Sequence, residues 1–382
     1  MLNRCHKLRL QMAGFACSTE PQRASVPEIW GRWEKVQDQP NLPMRICLSM
    51  SHQVGSNANM ATTTRNPMAQ LFSGDENPTP EGAQPGFITT PDEVRLRYAK
   101  WSPKLRPSKG TVLILHGRTE CIEKYYETVE DLRERGFGVL TFDWRGQGGS
   151  DRMLKDPRKG HVENFNQYLI DLETVLTELV LPDCKPPHYI LAHSTGSLVA
   201  LLAAPALGNR IRRMVLVSPL LRLNQIPFRQ VNLQRFLGVL TFFGLGRFSL
   251  RRKSDPEHVK KFITNRLTSD SRRFARNRGI LSAQPELSIG PPTIAWVFAA
   301  CRAMSRVAAP GYSNAIAIPT LLVSAGSDTV VSPSEIESFG KKMRSGAFLT
   351  IIGAKHEILQ EKDVYREQFL AAFDAFVPGT EV

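Results

Sequence analysis

Short apolar runs alternate with segments of helical period along most of the chain. Runs such as "TVLILHG" (111–117) and "FGVLTFD" (137–143) are apolar throughout, which is typical of strands buried on both faces. The pattern predicts an initial hairpin at 87–90 and 94–101, strands at 111–117, 137–143, 188–192, 213–218, 320–326 and 348–354, and helices at 121–136, 163–181, 194–206, 333–344 and 363–376. Continuous strands alternating with helices predict an α/β fold with a mostly parallel sheet covered on both faces.

The same pattern divides the chain into an extension, a core and an insertion. Residues 1–70 show no sustained period, so we expect a disordered N-terminal extension, or sequence upstream of a true start at Met50 or Met60. The turn-rich "GDENPTPEGAQPG" (74–86) marks the entrance to the folded part. The predicted core comprises residues 71–218 and 316–382, and the intervening segment 219–315 is predicted to be a helical insertion between two strands.

Charge is concentrated in that insertion. The composition, 42% hydrophobic and 22% charged, indicates a globular protein and excludes a fibrous or disordered one. The chain has 49 basic and 36 acidic residues, a net charge of +13, and residues 221–310 alone hold 16 basic against 4 acidic residues. Such an excess favours anionic partners, either phospholipid surfaces or nucleic acid. Because no nucleic-acid recognition motif accompanies the charge, we expect no nucleic-acid partner.

The insertion also contains the apolar run "FLGVLTFFGLGRF" (236–248), which is followed by "SLRRK". Aromatic and leucine side chains beside basic ones would allow a cap to lie on an anionic bilayer and to receive an acyl chain. Alternatively, the apolar residues form the core of the insertion itself and the charges form a solvated face. The sequence leaves both interpretations open.

Cysteine usage and hydropathy bear on location. The six cysteines show neither C-x-x-C pairs nor histidines at zinc-ligand spacing, so we predict no disulfide framework, no metal site and a reducing compartment. "LQMAGFACS" (10–18) is a poor secretory signal, with a lipid-anchored Cys17 as a weaker alternative. No run reaches the roughly 20 residues of a membrane span. We expect a cytoplasmic protein without a transmembrane helix, and peripheral attachment to the inner face of the membrane is a further hypothesis.

Candidate chemistry begins at "ILAHSTGS" (190–197), where a predicted strand meets a predicted helix. A nucleophilic serine on such a turn is usually found in G-x-S-x-G, and here Ser194 lies between Ala192 and Gly196. Both flanking residues are small, as required where a helix and a strand pass close together. A serine at a helix start could equally be an N-cap, so the motif alone leaves two interpretations.

Two further residues complete a triad. Asp328 follows the strand predicted at 320–326, and His356 follows the strand predicted at 348–354. The chain order Ser, Asp, His is that of the α/β-hydrolases. A serine hydroxyl needs an imidazole to take its proton, and a carboxylate fixes the imidazole tautomer. We therefore predict Ser194 as nucleophile, His356 as base and Asp328 as acid.

The "LHGRTE" turn (115–120) is the candidate oxyanion site. His116 ends a strand, and the glycine after it indicates a backbone role, because the turn after such a strand can donate an N–H group to an oxyanion. The predicted donors are the backbone amides of Arg118 and Thr195.

Three other polar residues receive lesser roles. His193 is predicted to be structural, because neighbours on an elbow point apart. Asp143 is the rival triad acid, but "DWRGQGGSD" (143–151) is more typical of a structural glycine-rich turn. Glu120 has two open interpretations, a supporting residue of the site or a carboxylate at a helix start.

The segments "LHGRTECIEKYYETVEDLRERGFGVLTFDWRGQGGSDR", "LAHSTGS", "SAGSDTVV" and "GAKHEIL" together resemble the α/β-hydrolase family of bacterial lysophospholipase L2 and the monoacylglycerol lipases. The resemblance covers about residues 75–378. It implies an eight-stranded sheet, a lid inserted after the sixth strand and a serine esterase acting on single-chain acylglycerols. It carries the nucleophile onto Ser194, the acid onto Asp328, the base onto His356 and the oxyanion amides onto Arg118 and Thr195. Ala192 and Ser197 stand where relatives usually have glycine.

The leading functional hypothesis is a cofactor-independent serine carboxylic-ester hydrolase that releases a fatty acid from lysophospholipid or monoacylglycerol through an acyl-enzyme. The same triad could instead serve an aminopeptidase, a thioesterase or an acyltransferase. A catalytically silent lipid-binding module is the alternative from another class. Dehalogenases and epoxide hydrolases are disfavoured because they use an aspartate nucleophile.

Overall fold

Eight strands form one sheet at the centre of the fold. The structure is a computed structural model that describes residues 69–224, 230–249 and 261–377. Nearly all of the predicted N-terminal extension, including Cys17, Met50 and Met60, lies outside the described residues, as do residues 225–229 and 250–260 of the predicted insertion. The strands are β1 (Gln84–Thr89), β2 (Arg95–Trp101), β3 (Thr111–Leu115), β4 (Gly138–Phe142), β5 (His188–His193), β6 (Arg213–Val217), β7 (Thr320–Ala325) and β8 (Gly346–Ile351).

The sheet order is β1-β2-β4-β3-β5-β6-β7-β8. The first two strands pair antiparallel, as predicted, and β2 pairs antiparallel with β4, whereas the pairs from β4 to β8 are parallel. Every residue of β3, β4, β5 and β7 is buried, which explains their continuous apolar runs. The predicted mostly parallel α/β sheet is confirmed. The strand predicted at 348–354 instead ends at Ile351, because Gly353 turns the chain with φ +86°.

Eight longer helices accompany the strands in the described part of the chain. They are α1 (Tyr126–Glu134), α2 (Asn166–Val175), α3 (Thr195–Leu207), α4 (Gln230–Phe242), α5 (Ser271–Ala283), α6 (Ile294–Val307), α7 (Pro333–Lys342) and α8 (Asp363–Phe376). A 3-10 turn, Ile122–Tyr125, precedes α1, and a π turn, Leu176–Val180, extends α2. Helices α4, α5 and α6 lie between β6 and β7, the position predicted for the insertion.

Arg273 ties α5 to the core. Its guanidinium contacts Glu127 of α1 at 2.5 Å and Asp363 of α8 at 2.6 Å, and it donates to the Glu361 carbonyl at 2.8 Å. Asp270 caps the helix by accepting hydrogen bonds from two backbone N–H groups of its first turn. The middle of the insertion is therefore fixed to two core helices by charged contacts.

Asp143 belongs to a buried ion cluster at the end of β4. Arg97 donates to both Glu123 oxygens at 2.8 Å and to Asp143 Oδ2 at 2.7 Å. The backbone N–H groups of Ile122 and Gly149 donate to the same Asp143 carboxylate. Burial by itself raises the pKa of Asp143, but the positive charge of Arg97 outweighs it and the pKa falls to about 2. The carboxylate thus holds the glycine-rich turn in place.

We predict that Asp143→Asn lowers the free energy of unfolding at neutral pH by about 3 kcal/mol, because it removes one of the buried counter-charges of Arg97. The stabilisation depends on a lowered pKa, so in the wild type it should be lost as pH falls towards about 2. Urea unfolding at neutral and acid pH measures both effects. Asp374→Asn is the control, since Asp374 forms an exposed pair with Arg135 and should matter by less than about 1 kcal/mol. Equal losses in the two variants would contradict the prediction.

Candidate active site

Ser194 occupies a strained turn between β5 and α3. Its backbone has φ +50° and ψ −110°, a conformation that residues other than glycine rarely adopt. Hydrogen bonds on both sides hold it, from its N–H to the Val217 carbonyl at 2.9 Å and from the Leu198 N–H to its carbonyl at 3.2 Å. The side chain makes no capping hydrogen bond, so the N-cap interpretation is wrong. The turn presents the hydroxyl to His356 instead.

Gly196 allows the close approach on which this turn depends. A Cβ atom at this position would lie 2.2 Å from the Leu115 carbonyl oxygen and 2.7 Å from that of His116. Both are backbone atoms at the end of β3, so neither can move aside without disturbing the sheet. Any side chain at position 196 would therefore displace α3 from β3.

The two departures from the family pattern fit the fold. Ala192 pairs with Leu115 of β3 and Leu216 of β6 and is fully buried, so its methyl group is part of the core. Ser197 is also buried, and its hydroxyl donates to the Val217 carbonyl at 3.3 Å. A strained turn forms at Ser194 with both residues in place.

Ser194, His356 and Asp328 come together at the carboxyl ends of β5, β8 and β7. The Nε2 atom of His356 lies 3.1 Å from Ser194 Oγ, and its Nδ1 atom lies 2.7 Å from Asp328 Oδ2. The other Asp328 oxygen accepts the N–H groups of Val330 and Val331, which orient the carboxylate. A proton on Nδ1 shared with Asp328 would leave Nε2 free to accept the serine proton.

Contacts with the glycine-rich segment and with the insertion hold the turn that carries Arg118. Thr119 has φ +64°, and its N–H donates to the Gln147 side chain at 2.8 Å. The Arg118 guanidinium donates to the Gly290 carbonyl at 2.5 Å and lies 5.2 Å from the centre of the Trp296 ring. The turn is therefore fixed both to the glycine-rich segment and to the insertion. Thr195, the other predicted donor residue, is the first residue of α3.

Glu120 is buried behind this turn and contacts residues beside the triad. It lies 3.1 Å from Nδ1 of His193, 2.8 Å from Nζ of Lys124 and 2.7 Å from the Tyr125 hydroxyl, and it accepts the Gly117 N–H. Burial alone would raise the pKa of Glu120, but the charges of Lys124 and His193 bring it well below its ordinary value. These contacts fit the supporting role better than the helix-start role.

Three residues near the site were not singled out from the sequence. Gln147 holds Thr119, and Ser218 donates from Oγ to the His356 carbonyl at 2.8 Å. Lys124 joins Glu120 to Glu357, which lies 2.6 Å from its Nζ. The signal that the sequence offered for Ser218 was its place directly after the apolar strand β6. In the structure Ser218 has a positive φ of 44°, which turns the chain at this strand end. The Nδ1 atom of His116, a residue predicted to have a backbone role, lies 2.8 Å from the Gly117 carbonyl oxygen.

Within the described ranges, no cluster of three or more histidines, cysteines and carboxylates is arranged to hold a metal ion. In the same ranges no helix is both long enough and apolar enough to cross a bilayer.

Comparison with known proteins places the chain among relatives. The family described as "Serine aminopeptidase, S33" matches residues 106–363. Lysophospholipase L2 of Escherichia coli is 32% identical over 305 residues, covering 76% of this chain and 86% of that protein. The chain belongs to the family described as "Serine aminopeptidase, S33". It is accordingly a hydrolase. Monoglyceride lipase of Rattus norvegicus is a more distant relative, 25% identical over 250 residues, covering 65% of this chain and 77% of that protein.

The fold agrees with that membership. A soluble variant of monoglyceride lipase from Saccharomyces cerevisiae, solved with a substrate analogue, superimposes with a TM-score of 0.63 at 18% identity, covering 78% of this chain and 97% of that chain. Monoacylglycerol lipase of Paleococcus ferrophilus gives a TM-score of 0.58 at 22% identity, covering 75% of this chain and 99% of that chain. At these identities the likeness establishes the fold, which is the α/β-hydrolase fold.

We predict that Gly196→Ala removes at least about 2 kcal/mol of unfolding free energy, because the added methyl group meets backbone oxygen that cannot move aside. The matched control is Gly279→Ala in α5, where an added Cβ meets nothing within 4 Å. That change should stabilise the helix by about 0.5–1 kcal/mol, since alanine costs less backbone entropy than glycine. Thermal and urea unfolding of the pair measure both values. Similar stability in the two variants would refute the close-approach argument.

Proposed function

We propose that this protein is a serine carboxylic-ester hydrolase. Ser194 attacks the ester carbonyl while His356 takes its proton, and Asp328 stabilises the imidazolium that forms. The backbone N–H groups of Arg118 and Thr195 receive the oxyanion. When the intermediate collapses, His356 gives this proton to the leaving alcohol and the acyl-enzyme forms. Water then attacks the acyl-enzyme with His356 again as base, and the acid leaves as the proton returns to Ser194 Oγ. The continuous contact from Asp328 through His356 to Ser194 on a strained turn carries this proposal.

We further propose single-chain lipid esters, lysophospholipid or monoacylglycerol, as the substrates. Support comes from the names of the relatives, lysophospholipase L2 and monoglyceride lipase, and from the apolar surface of the insertion described below. The family description, "Serine aminopeptidase, S33", keeps an aminopeptidase as the second candidate. Thioesterase and acyltransferase activities would use the same triad, whereas a silent lipid-binding module would use none of it.

Ser194→Ala should lower kcat for ester hydrolysis by about 10⁴-fold or more, because no hydroxyl remains to form the acyl-enzyme. Fatty-acid release from lysophospholipids, monoglycerides and short esters, with aminoacyl arylamides alongside, measures the activity and separates lipase from aminopeptidase. The control is Ser282→Ala, an exposed serine of α5.

A fluorophosphonate probe gives an independent readout. It should label the wild type and Ser282→Ala at Ser194 and should leave Ser194→Ala unlabelled. Undiminished hydrolysis by Ser194→Ala would exclude the mechanism, and an unlabelled, inactive wild type would favour the silent module.

We also propose that the insertion attaches the enzyme to an anionic membrane. An exposed aromatic surface, formed by Phe236, Phe242, Phe243 and Phe248 with Val239 beside them, covers α4 and the turn after it. Phe242 and Phe243 are 85% and 71% exposed, and the fully buried residue of α4 is Leu237. This exposure weighs against the interpretation in which these residues form the core of the insertion.

Basic groups border the exposed aromatic surface. Arg235 and Arg247 are exposed, and Lys159 Nζ lies 5.9 Å from the centre of the Phe248 ring. Aromatic side chains can enter the interface of a bilayer while neighbouring cations contact its phosphates. Each Lys or Arg near an anionic surface contributes about 1 kcal/mol. The charge of this border selects an anionic phospholipid surface as the partner.

The double variant Phe242→Asp with Phe243→Asp should bind phosphatidylglycerol-containing vesicles at least about tenfold more weakly in a sedimentation assay, because it replaces apolar area by repelling charge. Leu105→Asp is the control. Leu105 is an exposed apolar residue that precedes β3, so it lies at the amino end of the parallel strands, whereas the insertion follows the carboxyl end of β6. Wild-type binding should weaken at high salt and on vesicles of phosphatidylcholine alone. Equal vesicle binding by the double variant and the control would contradict this attachment.

A further inference from the structure

His193 lies between two groups that can only accept hydrogen bonds. Its Nδ1 atom is 3.1 Å from Oε1 of Glu120, and its Nε2 atom is 3.3 Å from the backbone carbonyl oxygen of His356. Carboxylate and carbonyl oxygens carry no proton to give. A neutral imidazole has one N–H group, so it would turn a lone pair towards one of these oxygens. An imidazolium satisfies both contacts.

We propose that His193 is a protonated imidazolium that positions the catalytic base by donating a hydrogen bond to the backbone carbonyl of His356. The inference rests on the proposed function and assigns a role to the residue beside the nucleophile. Ser218 Oγ donates to the same carbonyl at 2.8 Å, so two donors fix this oxygen. Because the carbonyl and the imidazole belong to one residue, fixing the first restricts where Nε2 can lie relative to Ser194. His193 is thus a positioning residue, not a catalytic one.

A protonated His193 matches the charges around it. Glu120 and Glu357 are buried carboxylates, and Lys124 Nζ lies 2.8 Å from the first and 2.6 Å from the second. Lys124 carries one positive charge against these two carboxylates, and an uncompensated buried charge is costly. A positive His193 completes two ion pairs.

The groups that face His193 from neighbouring elements act in both directions on its pKa. Burial lowers the pKa, Glu120 and Glu357 raise it and Lys124 lowers it, with a net rise above 6.5. The Tyr125 hydroxyl reaches His193 only through Glu120, and the His356 ring centre is 4.9 Å away. A raised pKa stabilises the fold below pH 6.5, and this contribution is lost as pH rises through the raised value.

Catalysis therefore requires opposite protonation states of two neighbouring histidines. His356 must be neutral to accept the serine proton. When His193 loses a proton, the remaining one stays on Nδ1 beside the Glu120 carboxylate, the stronger acceptor, so Nε2 no longer donates to the His356 carbonyl. Activity should fall on the alkaline side as His193 loses its proton, at a pH above 6.5. The alkaline limb of the pH profile thus belongs to a residue that never contacts the substrate.

Nitrogen NMR of the ¹⁵N-histidine-labelled full-length protein tests the protonation state without any activity. The chain has eight histidines, and the His193 signals are assigned by their absence in His193→Gln. We expect both ring nitrogens of His193 to be protonated at neutral pH. We also expect Glu120→Gln, which removes the counter-charge, to lower the His193 pKa measured by titration. A neutral His193 at pH 7, or a pKa unmoved by Glu120→Gln, would overturn the proposal.

Two isosteric variants test the positioning role. The amide nitrogen of glutamine reaches the place of Nε2 and can donate to the His356 carbonyl, whereas that of asparagine reaches the place of Nδ1 and can donate only to Glu120. His193→Asn should lower kcat by about 10- to 100-fold with little change in KM, because a charge-assisted hydrogen bond is lost. His193→Gln should retain more of kcat and should lose the alkaline limb of the profile.

His188→Gln is the matched control, since His188 begins the same strand and lies 3.1 Å from one backbone carbonyl, that of Cys184. Its pH profile should keep the alkaline limb. Equal kcat values for the asparagine and glutamine variants, or an alkaline limb that persists in His193→Gln, would overturn the positioning role. A wild type that fails to hydrolyse esters would refute the proposed function, and the NMR result would still decide the charge of His193.

Discussion

The backbone strain at Ser194 is the constraint on which the rest of this structure depends. A residue with φ +50° costs on the order of 1–3 kcal/mol and persists only where its surroundings fix it. Here the hydrogen bond to β6 and the approach of Gly196 to the end of β3 place the turn at the centre of the sheet. Helix α3, buried at every residue except Pro205, supplies the apolar contact that offsets the cost. The serine is therefore held by the core rather than by a loop.

Much of the site follows from the sequence for the same reason. Ser194, Asp328 and His356 each come after a buried strand, and parallel strands end at one edge of the sheet. What the sequence could not supply is contact between side chains far apart in the chain. Glu120 and His193 are 73 positions apart and meet only because β3 pairs with β5. Periodicity locates strands, but it does not indicate which neighbour a strand takes or where a polar side chain beyond its end will point.

The 3-10 turn before α1 connects two charge clusters of different kinds. Glu123 contacts Arg97 and so belongs to the cluster that holds the glycine-rich turn through Asp143. Lys124, the next residue, contacts Glu120 and Glu357 beside His356. Neighbouring side chains on this tight turn thus contact two different places, the ion cluster at the end of β4 and the candidate active site. The segment "TECIEKYY" contains six charged or hydroxyl side chains, and which cluster each one joins depends on the turn geometry rather than on their order.

The helices between β6 and β7 are held in place by different kinds of contact. Displacing α5 would break the contacts of Arg273 with Glu127 and Asp363, which leaves charged groups without partners in a partly buried place. Helix α6 is buried over ten of its residues and contacts α3. Helix α4 rests on α6 through few buried groups, with Leu237 the fully enclosed one. Charged contacts thus hold α5 to the core and apolar burial holds α6, whereas α4 packs against α6 and leaves aromatic side chains exposed on its outer face.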